Sequence, residues 1–451
     1  MNTARRLLTF VLILLLTGLV IHEYATDRFT EDAVDFYNFW AVPTAQRLSG
    51  YTLGNPYQAI PQYGTFLKDY LAVVPDDFAL LRVTDFWYGH PDIRQVSRNN
   101  SPLLYTVFGI FPEQYPTAAS LFRWSEAALF VTAVLIWATL LGFRSSYAAA
   151  GGMLLLLVFY PAHKDLEVGN INAFLVFGLV GLLAVNRLRD RLPFVRSILS
   201  GILASGMALL ILLKPLVLVP CLLLAVLVGL EASLRDKVLV ISAGFAAILA
   251  GVFGSIWFFR SWTVWTDWLY AVRGDEGILY PWRAHNSSLV MLLAERTQTK
   301  PMLVTLAIGT LLVLSLLIAL RYRVRHSPGA GVDIQSVLRH ARSVFSDAGL
   351  IMSIGIIVTL ALSPLVWNHY YMLGVIPALW LCAPAARPQI GLLLAALFVA
   401  ASSEPLISTA RLTHTVQWYF LAQTLSWIPL WVGILIAIGA PAQPHRAAPE
   451  H

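Results

Sequence analysis

Three residues stand out as able to do chemistry: Asp35, Lys214 and His369. Asp35 is followed by Phe36, Tyr37, Phe39 and Trp40. A carboxylate hemmed by aromatic rings loses solvation and its pKa rises, which suits a general base. The alternative is an ordinary solvated loop acid, as its neighbours Glu31 and Asp32 read. Lys214 lies before Pro215, between two long apolar runs. An ionisable side chain at membrane depth is by default functional, and this one would hold an anion such as a lipid phosphate. Otherwise its ammonium snorkels to the headgroups. His369, flanked by Trp367, Asn368 and Tyr370, could donate to a phosphate or carry a proton, or sit as an interfacial histidine among aromatic residues. Gly169, Asn170, Ile171 and Asn172 open a helix. Free N–H groups there could face an anion or a sugar, although Asn is also a common N-cap.

The elements that carry these residues are apolar helices. The chain has 451 residues, 58% hydrophobic and only 12% charged, against about 25% charged in a soluble domain. This composition argues for a bilayer, and an all-α polytopic membrane protein is the expected fold class. Runs near the ~20 residues a span needs fall at 7–22, 119–142, 147–162, 171–186, 197–213, 216–231, 238–258, 302–320, 348–364, 371–385, 389–403 and 422–440, about twelve in all. The first, after Arg5 and Arg6, reads as an uncleaved helix because no small-residue cleavage site follows it. Residues 1–440 read as one multi-pass domain. Within it, 23–118 is a first outer loop with interfacial helices and 321–346 a cytoplasmic linker loop; 441–451 is a disordered tail.

The formal charge of +6 is not one patch, so nucleic acid is not an expected partner. Arg and Lys gather in alternate connections, at Arg144, Arg187–Arg196, Arg235–Lys237 and Arg321–Arg342, while Asp and Glu gather in the others. By the positive-inside rule the basic connections are cytoplasmic. Asp35, Lys164, Asn170, Asn172, Lys214, Arg283, Asn286 and His369 then all map to the opposite, outer face. Trp262, Trp265 and Trp268, and separately residues 58–72, read as interfacial helices on that face. Cys221 and Cys382 lie in apolar runs and read as small hydrophobes. No metal-ligand set and no cofactor is expected.

These pieces, in this order, resemble the polyprenol-phosphate-mannose-dependent mannosyltransferases, glycosyltransferase family 87, which have the GT-C fold. The resemblance rests on Asp35-Phe36-Tyr37 after the first helix, Gly50 and Pro56-Tyr57, and Ser101-Pro102-Leu103. It continues through Gly169-Asn170-Ile171-Asn172, Lys214-Pro215, Asn286-Ser287-Ser288 and Trp367-Asn368-His369. One departure is Asn170, which stands where the family has Gln. The resemblance implies a donor sugar on a polyprenyl phosphate. Lys214 and His369 would meet its phosphate, with Lys164, Asn170, Asn172, Arg283 and Asn286 in the substrate site. Asp35 would deprotonate the acceptor hydroxyl of a glycolipid or glycan, with inversion. It also implies a bacterial inner (plasma) membrane location with the site facing the periplasm. An arabinofuranosyltransferase of the same class is an alternative. A transporter or lipid flippase is the other rival, disfavoured because the polar residues cluster on one face and no inverted repeat is visible.

Overall fold

The computed structural model describes residues 2–25, 33–58, 63, 66, 100–275, 282, 286–326, 341–342, 344–383, 388–413 and 415–440. Most of the expected interfacial helix at 58–72, most of the linker loop and the tail at 441–451 lie outside the described residues, as do Arg283 and His285.

Every named element is helical. In chain order they are α1 (Asn2–Glu23), α2 (Val34–Leu48), α3 (Pro102–Phe108), α4 (Tyr115–Leu140), α5 (Ser145–Val158), α6 (Tyr160–Val168) and α7 (Asn172–Arg191). There follow α8 (Arg196–Leu213), α9 (Leu218–Glu231), α10 (Leu234–Phe259), α11 (Val264–Asp275), α12 (Leu289–Thr297) and α13 (Pro301–Arg325). The last are α14 (Ala348–Leu362), α15 (Val375–Leu381), α16 (Pro388–Ala401), α17 (Glu404–Leu412), α18 (Val416–Leu425) and α19 (Trp427–Gly439). Short 3-10 segments lie at Pro193–Val195, Pro215–Val217 and Asn368–Gly374.

Among the described residues, six helical stretches are long and apolar enough to cross a membrane: Tyr115–Leu140, Asn172–Arg191, Pro193–Leu213, Leu234–Phe259, Pro301–Arg325 and Val416–Gly439. Shorter apolar helices run over Phe10–Glu23, Ser145–Val158, Pro215–Leu230, Ala348–Leu362 and Gln389–Ala401. Their outward faces carry large apolar side chains, such as Ile241 (70% exposed) and Ile318 (68%). Lipid, not water, is the solvent that tolerates such a surface. The chain is a multi-pass membrane protein.

Close helix packing uses small residues, since apolar burial alone does not drive helices together in lipid. On α8 and α10, Gly201 faces Leu239 and Ala243, and Gly244 faces Ala204. Ser205 Oγ donates to the Ala243 carbonyl at 3.2 Å. On α14, a Cβ at Gly355 would stand 2.5 Å from Pro220 Cα, so only glycine lets α14 approach α9 this closely.

Two expected spans are not single helices. The run 147–162 breaks at Phe159, which is extended (φ −94°, ψ 101°), and α6 starts afresh with Pro161 in its first turn. Proline has no N–H to continue the α5 ladder. The run 371–385 becomes the Asn368–Gly374 segment followed by the seven-residue α15. Tyr371, Met372 and Ile376 there are fully buried in protein. Hydropathy alone does not distinguish a side chain that faces lipid from one that faces the core. Both breaks bring irregular backbone to the same end of the bundle, where the polar residues lie.

Candidate functional site

The site grows from the turn between α6 and α7. Gly169 ends α6 in the left-handed region (φ 70°), and its N–H and that of Asn170 both donate to the Asp165 carbonyl, at 2.8 and 3.0 Å. A Cβ at Gly169 would stand 2.6 Å from Phe36 Cβ and 3.3 Å from the Phe36 nitrogen. Glycine is therefore required twice here, for its φ and for the close approach of α2. That approach delivers Asp35, in the first turn of α2, to Asn170. Asn170 Nδ2 donates to Asp35 Oδ2 at 2.7 Å.

The other end of the Asn170 carboxamide holds the cation. Lys214 caps the end of α8 in extended backbone, and its Nζ donates to Asn170 Oδ1 at 2.6 Å and to Asn172 Oδ1 at 3.4 Å. It also lies 4.7 Å from the centre of the Tyr370 ring, a cation–π contact. Ser101 anchors the backbone just before it: Ser101 Oγ accepts from Leu104 N as the N-cap of α3 and donates to the Leu213 carbonyl at 3.0 Å. Asp35, Lys214 and Tyr370 are partly exposed, while Asn170, Asn172 and His369 are buried.

The electrostatics follow from burial. Desolvation raises the Asp35 pKa above the usual carboxylate range, against the lowering by the Asn170 hydrogen bond and the Lys214 and Lys164 charges. Burial lowers the Lys214 pKa, with Asp165, Asp35 and Glu126 opposing the fall. His369 is pushed well below the ordinary histidine value by burial and then by Lys214 and Lys164. That shift favours the neutral imidazole. Its Nε2 is buried with no hydrogen-bond partner among the described residues, and its ring meets Tyr370 edge-on at 4.9 Å.

The structure brings Asp35, Asn170, Asn172, Lys214 and the His369–Tyr370 turn together. It places other expected residues differently. Lys164 is ion-paired with Glu167 on the same helix, and acts on Asp35 only through its charge. Asn286 serves backbone: its Oδ1 accepts from Val366 N at 2.9 Å and Ser288 N at 3.2 Å, and its Nδ2 donates to the Pro364 carbonyl at 2.9 Å. With Ser287 Oγ donating to Asn368 Oδ1 at 2.7 Å, Asn286 holds the turn that presents His369 and Tyr370. Trp268 is buried rather than lying on a surface belt, whereas Trp262 is 78% exposed.

Three further charged residues lie near the site: Asp165, which the sequence groups with the outer-face polar residues, and Arg123 and Glu126, which it does not. Asp165 is fully buried. Its Oδ1 accepts from Asn172 Nδ2 at 2.6 Å and its Oδ2 from Ala173 N at 3.1 Å. On α4, Arg123 donates to the Leu166 and Glu167 carbonyls at 3.1 and 2.8 Å, satisfying the C-terminal end of α6. Glu126, one turn on, is fully buried and its carboxyl oxygens have no hydrogen-bond partner among the described residues. The signal was present, because Arg123 and Glu126 are ionisable residues within an apolar span.

Gly169→Ala tests the turn. The left-handed backbone alone costs about 1–2 kcal/mol for a non-glycine residue, and the added methyl also pushes on Phe36. We expect a lowered melting temperature in detergent together with loss of activity, because Asp35 moves off Asn170. Full activity with unchanged melting would show that this approach is not required.

Comparison with known proteins gives one match. The model of glycosyltransferase family 87 matches residues 101–346, more than half of the 451-residue chain. The matched range contains Asn170, Asn172 and Lys214, with Asp35 and His369 on either side of it. No curated protein and no solved structure matches the chain.

Proposed function

The chain belongs to glycosyltransferase family 87 and is thus a membrane glycosyltransferase, and from that premise we propose that it transfers mannose or a related sugar from a polyprenyl-phosphate donor to a glycolipid or glycan acceptor. The observation that carries this reading is the single Asn170 carboxamide, which bonds the Asp35 carboxylate on one side and the Lys214 ammonium on the other. Sugar transfer from a phosphate donor needs both groups, a base for the acceptor and a cation for the leaving phosphate, held a fixed distance apart.

In this reading Asp35 takes the proton from an acceptor hydroxyl. The hydroxyl oxygen attacks the anomeric carbon from the face opposite the phosphate, so configuration inverts. The bond from that carbon to the phosphate oxygen breaks, and the polyprenyl phosphate leaves with the electron pair. Lys214 stabilises the charge that grows on the phosphate. His369, as a neutral imidazole, holds or donates a hydrogen bond there. Tyr370 presents a ring that keeps Lys214 from collapsing onto Asp35. No nucleotide is involved, and the polyprenyl tail lies between lipid-facing helices. The charge alternation of the connections supports a site on the non-cytoplasmic face of an inner membrane.

The test is transfer by purified protein in nanodiscs, given radiolabelled polyprenyl-phosphate-mannose and a crude glycolipid extract. Labelled glycolipid is the expected product. Failure with this donor but success with polyprenyl-phosphate-arabinose would move the assignment to an arabinofuranosyltransferase. Failure with both donors and several acceptor extracts would reject the reading.

A further inference from the structure

We propose that Asp165 is a positioning residue for the transfer reaction: it fixes which way the Asn172 and Asn170 carboxamides face, and so holds the base Asp35 and the cation Lys214 in register. The inference rests on the reading above, in which Asp35 and Lys214 are the working groups.

The argument is one of hydrogen-bond polarity. A carboxamide has one accepting end and one donating end, and an ammonium tolerates only the accepting end. Asn172 presents Oδ1 to Lys214 and Nδ2 to Asp165. Asn170 presents Oδ1 to Lys214 and Nδ2 to Asp35, and Asn172 Nδ2 also stands 3.4 Å from Asn170 Oδ1. Both amides therefore point the same way along a chain that ends in Asp165. Remove its carboxylate, and Asn172 loses its shortest side-chain hydrogen bond, at 2.6 Å, so that its orientation rests on the longer 3.4 Å contacts to Lys214 and Asn170 Oδ1. Asp165 also holds the turn itself, through its backbone carbonyl to Gly169 and Asn170 and its Oδ2 to Ala173 N.

Charged groups face Asp165 from several elements. Burial raises the Asp165 pKa to about 7, while Lys214, Asn172 and the Ala173 N–H favour its charge and Asp35 opposes it. Glu126 of α4 faces it from behind, with Arg123 on the same helix. Lys164 and Glu167 pair with each other on its own helix.

The charge of Asp165 makes the proposal separable from a packing role. Once ionised, above about pH 7, Asp165 keeps a proton on Lys214 and works against ionisation of Asp35. Asp165→Asn removes that charge, so both groups release their protons at lower pH. Both limbs of the kcat/KM profile against pH should then move to lower pH by at least about half a unit. A side chain that only fills space moves neither limb.

The experiment measures transfer against pH for wild type, Asp165→Asn, Asp165→Glu and Asn172→Ala, with thermal unfolding as the check on folding. Asp165→Asn should lower kcat by roughly 10–100-fold, the scale of a small displacement at a reacting centre, and shift both limbs. Asp165→Glu, which keeps the charge, should keep the limbs near their wild-type positions. A folded Asp165→Asn with unmoved limbs overturns the proposal. If that variant does not fold, Asn172→Ala decides: it should lose kcat with unmoved limbs, and unchanged kcat overturns the proposal. A wild type that transfers no sugar fails the functional reading instead, and an active wild type with unmoved limbs in Asp165→Asn fails only this assignment.

Discussion

Asp35→Asn is expected to lower kcat by about 10²–10⁴-fold, the range for loss of a general base, with little change in melting temperature. The Asn side chain has the same shape, and its oxygen still accepts from Asn170 Nδ2, as Asp35 Oδ2 does at 2.7 Å. What is lost is the basic lone pair. The sign of the pH dependence follows from burial. Because the folded pKa of Asp35 is raised, the wild-type rate should fall as pH drops through that raised value, above the usual carboxylate range. The acid limb should be absent from whatever rate Asp35→Asn retains. Equal transfer by both proteins would leave the enzyme but remove Asp35 as its base.

Lys214→Ala should instead act mainly on the donor. Truncating one partner of a desolvated charge pair costs about 2–5 kcal/mol, so affinity for the polyprenyl-phosphate donor should fall by roughly 10²-fold or more. Affinity for the acceptor should change much less. Wild-type donor binding should also weaken on the alkaline side. The Lys214 pKa is lowered by burial, so its ammonium is lost at a lower pH than an ordinary lysine would lose it. Direct binding of the polyprenyl phosphate, without sugar, checks this apart from the chemistry. If Lys214→Ala lowers only the yield of folded protein and binds the phosphate normally, the side chain is a snorkelling lysine after all.

Much of this protein was legible without coordinates, and for physical reasons. Low charge and long apolar runs specify a helical membrane protein, because lipid cannot satisfy free backbone groups and helices do so within one segment. Charge alternation along the connections assigned the polar residues to one face. Asp35, Asn170, Asn172, Lys214 and His369 could be named because polar side chains are conspicuous at the ends of apolar helices. The family resemblance drawn from those residues agrees with the family match.

Other features depended on three dimensions. Whether an apolar run meets lipid or protein is a matter of burial, so 371–385 read as a span although its residues pack inside. Asn286 reads as a substrate ligand from its type, and in the fold its amide bonds backbone at Val366 and Pro364, about eighty residues away, and at Ser288. His369 read as a hydrogen-bond donor to a phosphate or a proton carrier, or as an interfacial histidine, while its burial beside Lys214 favours the neutral ring. Sequence alone determined the helical membrane class and the polar residues that could work together. Tertiary structure decided their roles, through the approach of α2 to Gly169 and the polarity of two carboxamides, because hydrogen-bond direction and desolvation depend on neighbours distant in the chain.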